Sequence, residues 1–212
     1  MTLPYRDRRA AGQALASFLL PYANRPDVTV LGLPRGGAPV AAEVAAALAL
    51  PLDLFLVRKL GAPGREELAM GAIASGDVRV INDDVVRALG LLPAAIAEVE
   101  ARERQELARR EHRYRGARPP LVLRGQTVIL VDDGLATGSS MRAAIQAVRH
   151  LDPARIVAAV PVGAASVCAD LRAVADEVVC AETPEPFTAV GAWYDDFRAT
   201  TDDEVEAIIR EA

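Results

Sequence analysis

Val128-Ile129-Leu130-Val131-Asp132-Asp133-Gly134-Leu135-Ala136-Thr137-Gly138-Ser139-Ser140 runs four apolar residues straight into two acids and then into a small, hydroxyl-rich segment. An uninterrupted apolar run suits a strand buried on both faces, as strands of parallel sheets are. The run therefore reads as a strand, Thr127–Asp132, that delivers Asp132 and Asp133 to its carboxyl end. Helical spacing begins at Ser139, where Met141, Ile145 and Val148 share one face. Between strand and helix, Ala136, Thr137, Gly138, Ser139 and Ser140 offer backbone N–H groups and hydroxyls at a helix N-terminus, a setting that holds phosphate. A single acid after a strand caps a helix or closes a turn. Two adjacent acids followed by this loop need a further reason. Carboxylates beside a phosphate site suit a ligand that carries a phosphate and neighbouring hydroxyls, that is, a sugar phosphate.

Similar apolar runs occur at Val28–Leu33, Leu52–Val57, Ile156–Val162 and Glu177–Cys180. Helical patterns lie at Pro39–Leu50, Ser139–Leu151 and Ala164–Ala175. This alternation predicts an α/β fold, a five-stranded parallel sheet flanked by helices, with ligands at the carboxyl ends of the strands. Pro93–Arg115 predicts a long charged helix. Its Glu98–Arg102, Glu100–Arg104, Glu106–Arg110 and Glu111–Arg115 spacings would each add about 0.2–0.5 kcal/mol on an exposed face, and the charge run is read as solvated. His112 and His150 have no ligand-type neighbours at metal spacing and are read as structural or surface residues. Arg118-Pro119-Pro120 ends the long helix.

The chain has 212 residues, a net charge of −5 and a pI near 5.2. That length suits one domain, 1–212. No Lys/Arg block stands out, which argues against nucleic acid. No apolar run reaches the ~18 residues of a membrane span, and the polar, basic start, Met1 to Arg9, predicts no signal peptide. Cys168 and Cys180 read as buried reduced thiols. The expectation is a soluble, cytoplasmic globular protein.

Three further segments carry chemistry. Leu33-Pro34-Arg35-Gly36-Gly37-Ala38-Pro39 follows the first strand, and its glycines let backbone approach a ligand; taken alone it is also an ordinary tight turn. Arg58-Lys59 sits at the predicted end of the second strand, where two charges either face an anion or simply leave the core. Gly61-Ala62-Pro63-Gly64-Arg65-Glu66-Glu67 reads as a mobile loop before apolar Leu68–Ala74. Four of the chain's nine aromatic residues, Phe187, Trp193, Tyr194 and Phe197, crowd the structured loop Glu182–Arg198. Such clusters form a satellite core or stack on a flat ligand.

Residues 128–140 resemble the phosphoribosyl-diphosphate (PRPP) motif of the type I phosphoribosyltransferases. One position departs: Gly134 stands where that family carries a larger apolar residue. With Pro-Arg-Gly-Gly and Arg-Lys-x-Gly-x-Pro-Gly upstream, the chain is similar to a bacterial subgroup of uncharacterised predicted members, over about Val28 to Cys180. The resemblance implies that Asp132 and Asp133 hold the ribose hydroxyls and that Ala136 to Ser140 bind the 5′-phosphate. It implies that Arg35, Gly36, Gly37, Arg58 and Lys59 face pyrophosphate, and that Arg65, Glu66 and Glu67 belong to a closing flexible loop. A non-proline cis peptide is expected at Arg35–Gly36 or nearby. A hood, here 181–198, would hold the acceptor, with Phe187 and Trp193 as its contacts.

The implied reaction displaces pyrophosphate from PRPP by a nitrogen nucleophile, in nucleotide metabolism. Mg²⁺ accompanies PRPP, held by Asp132 and Asp133 directly or through ribose hydroxyls or water. Enzymes for 6-oxopurines place an Asp at position 136; Ala136 argues against that acceptor. The alternative is a PRPP- or nucleotide-binding regulator with little catalysis, although no helix-turn-helix or basic arm supports a DNA role. A homodimer is one arrangement common in the family.

Overall fold

A computed structural model describes residues 4–212. Its central sheet is parallel, with strands β1 (Val28–Gly32), β2 (Leu52–Leu54), β6 (Thr127–Val131), β7 (Arg155–Val162) and β8 (Glu177–Glu182) in the order β2-β1-β6-β7-β8. Every residue of β6 is buried, as its unbroken apolar run requires. The expected five-stranded parallel sheet flanked by helices is therefore the fold observed. β1 pairs with β2 on one side and β6 on the other. The connections reverse direction between β1 and β6, which makes their carboxyl ends the topological switch point where ligands bind in open α/β sheets.

Helices α1 (Arg8–Ala16), α2 (Gly37–Leu48) and α7 (Asp202–Glu211) cover one region of the sheet; α5 (Ser139–Arg149) and α6 (Ala165–Leu171) pack on a second apolar cluster. Gly12 lets α1 lie close on α2: a Cβ there would meet Val40 O at 2.7 Å. A Thr201–Glu204 capping box starts α7, which buries Val205, Ile208 and Ile209.

The long helix Pro93–Arg115 has the expected bounds, but the region 57–92 departs from the sequence reading. The second apolar run is not one strand to Val57. It stops at Leu54, and Val57 begins β3 (Val57–Ala62) of a separate antiparallel sheet completed by β4 (Arg65–Ala74) and β5 (Val78–Ile81). The predicted mobile loop is a hairpin. Its two strands join over Pro63 and Gly64, and Gly64 takes φ 73°, a conformation that glycine supplies without steric cost. A short helix, α3 (Asp83–Leu89), follows β5, and α4 (Pro93–Arg115) follows α3.

Nor is α4 solvated all round. It buries Ile96, Val99, Leu107 and Tyr114, and its acids reach the small sheet: Glu103 takes Arg58 and Glu100 takes Arg79 at 2.7 Å. Of the four Glu-to-Arg spacings, Glu100–Arg104 and Glu106–Arg110 form ion pairs. Arg102 lies nearest Glu103, and Arg115 turns instead to Asp53 of β2. That last pair is bidentate at 2.9 and 2.9 Å, with only 10% and 15% of the side chains exposed. Removing one partner of such a pair strands the other charge. Arg115→Ala should therefore cost about 3 kcal/mol in denaturant unfolding, and a loss under 1 kcal/mol would refute this.

Among the described residues no helix is long and apolar enough to cross a membrane. Cys168 and Cys180 are free thiols, as expected, but only Cys168 is buried and Cys180 is partly exposed; they lie around Gly163, where a Cβ would stand 2.9 and 3.1 Å from the two sulfurs.

Candidate functional site

β6 ends at Val131, so Asp132 and Asp133 emerge at the sheet's carboxyl edge beside the loop that follows β1. The two loops interlock. Leu33 N–H donates to Val131 O, and Gly37 N–H donates back to Leu33 O as α2 begins. Gly36 and Gly37 are required by close approach. A Cβ on Gly37 would stand 2.5 Å from Val131 O and 2.8 Å from Asp132 Cα, and one on Gly36 would overlap the Asp133 carboxylate. The peptide Pro34–Arg35 is cis, one bond before the expected position. Arg35 is exposed and lies 3.4 Å from Asp202 at the start of α7.

The acids are electrostatically loaded. Burial, and then the neighbouring Asp133 charge, hold Asp132 well above the usual carboxylate range. Its Oδ1 accepts from the Asp133 backbone N–H at 2.9 Å. Burial also raises Asp133, while the Arg8 guanidinium pulls it back down.

Arg8, from the first turn of α1, went unnoticed in the sequence. Its Nε donates to Asp133 Oδ2 at 2.8 Å, its Nη1 donates to Arg198 O at 2.8 Å, and its guanidinium lies 4.0 Å over the Phe197 ring. No local pattern marks an arginine that acts 125 residues away.

The loop Ala136–Ser140 leads into α5 with Gly138 at the N-cap, φ 70°. Glycine has no capping side chain; Ser139 N–H donates to Thr137 Oγ1 at 3.4 Å, and the first turn of α5 opens beside the exposed Thr137, Ser139 and Ser140. Thr137 Oγ1 and Ser139 Oγ lie 3.1 Å apart. Exposed hydroxyls and a positive helix end suit a dianion.

Arg58 and Lys59 do not act together. Adjacent strand residues point to opposite faces. Arg58 turns to Glu103 of α4, whereas Lys59 lines a cavity of about 590 Å³ that also includes Ser139 and Arg142 of α5. Lys59 lies 3.4 Å from Glu67 across the hairpin, and Arg65, Glu66 and Glu67 are exposed.

The aromatic loop packs as a satellite core with the chain's first described residues. Tyr5, Ala11, Val162 and Tyr194 are buried there, with Phe187, Val190, Trp193 and Phe197 against them. Phe187 and Trp193 stack at 6.3 Å, and Tyr194 OH donates to Asp133 O. Val190 explains Gly134. A Cβ at 134 would stand 2.5 Å from Val190 Cγ1, so the space of the usual larger residue is filled from the tail. Gly134→Ala should lower the melting temperature by several degrees, and adding Val190→Ala should restore part of it. A double variant no better than the single one would rule this packing out.

The sequence profile of the phosphoribosyl transferase domain matches residues 6–195 of this chain. The chain belongs to the phosphoribosyl transferase family, a family of transferase enzymes. Two proteins from Mycobacterium tuberculosis strains that carry a phosphoribosyl transferase name are 48% identical over 208 residues, 98% of this chain. The chain spans about half their length, 47%. The crystal structure of TT1426 from Thermus thermophilus is 45% identical, covers 99% of both chains and superimposes with a TM-score of 0.89.

Proposed function

We propose that this domain transfers ribose 5-phosphate from PRPP to a nitrogen of a base-like acceptor and releases pyrophosphate. The observation that carries the reading is the convergence of three parts at neighbouring strand ends: two acids, a glycine pair fitted against them, and a glycine-started helix N-terminus lined by exposed hydroxyls. Asp132 and Asp133 would take the ribose hydroxyls. As the bond to pyrophosphate lengthens, the ring gains positive charge, and carboxylates beneath it stabilise that charge. Ala136 to Ser140 would hold the 5′-phosphate. Arg35, the Gly36 and Gly37 backbone, and Lys59 would receive pyrophosphate; Arg58, turned to α4, is left out of this set.

The hairpin bearing Arg65, Glu66 and Glu67 would exclude water on closing. Phe187 and Trp193, in a hood of residues 181–198, would contact a flat acceptor. Ala136 offers no proton acceptor of the 6-oxopurine kind.

Two adjacent carboxylates fit Mg²⁺, which takes one or two carboxylates and completes its shell with water and substrate phosphates; among the described residues no cluster of three ligand-type side chains forms. Asp132 and Asp133 would hold it, directly or through ribose hydroxyls or water, and its charge would ease departure of pyrophosphate.

Pyrophosphate release with Mg²⁺ and PRPP, measured against bases added one at a time, tests the reading. Base-dependent release supports transfer and names the acceptor. Binding without turnover points to a regulator, and no PRPP binding at all overturns the proposal.

A further inference from the structure

Arg8 reaches the acid pair and is held at both ends of its side chain. Asp7 caps α1 by accepting from Ala10 N–H at 2.8 Å, which fixes the backbone from which Arg8 projects. The preceding residues are tied to the tail: Tyr5 N–H donates to Trp193 O, Asp195 N–H to Tyr5 O, and Asp196 N–H to Arg6 O. At the far end of the side chain, the Phe197 ring and Arg198 O fix the guanidinium. Only 11% of the Arg8 side chain and 16% of Asp133 are exposed.

This arrangement treats the two Asp133 oxygens differently. Oδ2 is enclosed, with Arg8 Nε on one side and Gly36 on the other. Oδ1 accepts no side-chain hydrogen bond from another described residue, whereas Oδ2 takes Arg8 Nε. A carboxylate with one oxygen clamped has one rotamer and one free acceptor, so a ring hydroxyl meets it without an ordering cost. Left unclamped, the side chain would rotate away from the hydroxyl.

We propose that Arg8 is a positioning residue that makes the site selective for sugars bearing ring hydroxyls, by presenting Asp133 Oδ1 to one of them. The inference rests on the donor site proposed above. The link from α1 through Arg8 to Asp133 would also couple hydroxyl recognition to the aromatic tail, because Phe197 belongs to both.

The test compares ribose 5-phosphate with 2,3-dideoxyribose 5-phosphate, which keeps the phosphate and lacks both hydroxyls, by calorimetry on the full chain with Mg²⁺. The wild type should prefer the ribose compound. Arg8→Ala should weaken ribose 5-phosphate about tenfold or more, the scale of one charge-assisted hydrogen bond, and leave the dideoxy compound within about twofold. Arg8→Lys keeps the cation without the planar fork and should lie between; it also serves if the alanine variant does not fold. Equal weakening of both ligands means a structural role and overturns the inference, as does no change in either. If the wild type binds neither these sugars nor PRPP, the donor site itself is wrong and Arg8 has nothing to position.

Discussion

Asp132→Asn should make the unliganded protein more stable and remove its activity. In the folded chain burial and Asp133 push the Asp132 carboxyl well above its ordinary range, so the folded state holds that proton more tightly than the unfolded chain does. A group of this kind leaves stability highest below the unfolded pKa, about 3.9, and takes it away as pH rises towards the raised value. At neutral pH, above the unfolded pKa, the wild type carries a penalty. Asparagine keeps the Oδ1 acceptor for the Asp133 N–H and drops the charge. The melting temperature should therefore rise by a few degrees at pH 7, and the gain should vanish near pH 4. The same change removes a charge aimed at a developing cation, and kcat/KM for PRPP should fall by two orders of magnitude or more. An Asn variant that is less stable at pH 7, or one that keeps its activity, would count against the loaded acid pair.

The parts of this site that could be read in advance are the local ones. The strand, the acids and the helix start of residues 127–149 are consecutive, and their order alone places the carboxylates at a sheet edge. The same holds for Pro34 to Gly37 after β1. Residues 57–92 are less legible, because antiparallel pairing between Val57–Ala62 and Arg65–Ala74 is decided by which partner each strand finds. Arg65-Glu66-Glu67 looks like loop composition, yet its backbone bonds across the hairpin. The charge run of α4 hid a buried stripe, since Ile96, Val99, Leu107 and Tyr114 are thinly spread among arginines and glutamates. Thr201 and Glu204 did carry a signal, a capping box before an apolar run, and mark the start of α7. Arg8 carried none. Its role exists only once α1 lies on α2 and the tail folds back over Asp133.

Gly36→Ala and Gly37→Ala should fail in different ways, and the difference separates the fold from the site. Neither glycine has a positive φ, and Gly36 sits at −61°, so alanine is conformationally acceptable and at Gly37, inside α2, gains up to about 1 kcal/mol of helix propensity. Any loss must come from space. At Gly37 the new methyl meets Val131 O and Asp132 Cα, backbone of the central strand β6 that has nowhere to go. A net loss of about 1–3 kcal/mol in stability is expected, together with loss of donor binding.

At Gly36 the three atoms nearest the methyl all belong to the Asp133 carboxylate. That side chain can swing aside by giving up Arg8, a pair as buried as Arg115–Asp53, so stability should fall by up to about 3 kcal/mol, through a side chain rather than through β6, while PRPP affinity drops about tenfold or more. Unfolding curves and PRPP titrations on the two variants settle it. If Gly36→Ala binds PRPP like the wild type, the carboxylate clamped between Gly36 and Arg8 is not the one that meets the sugar.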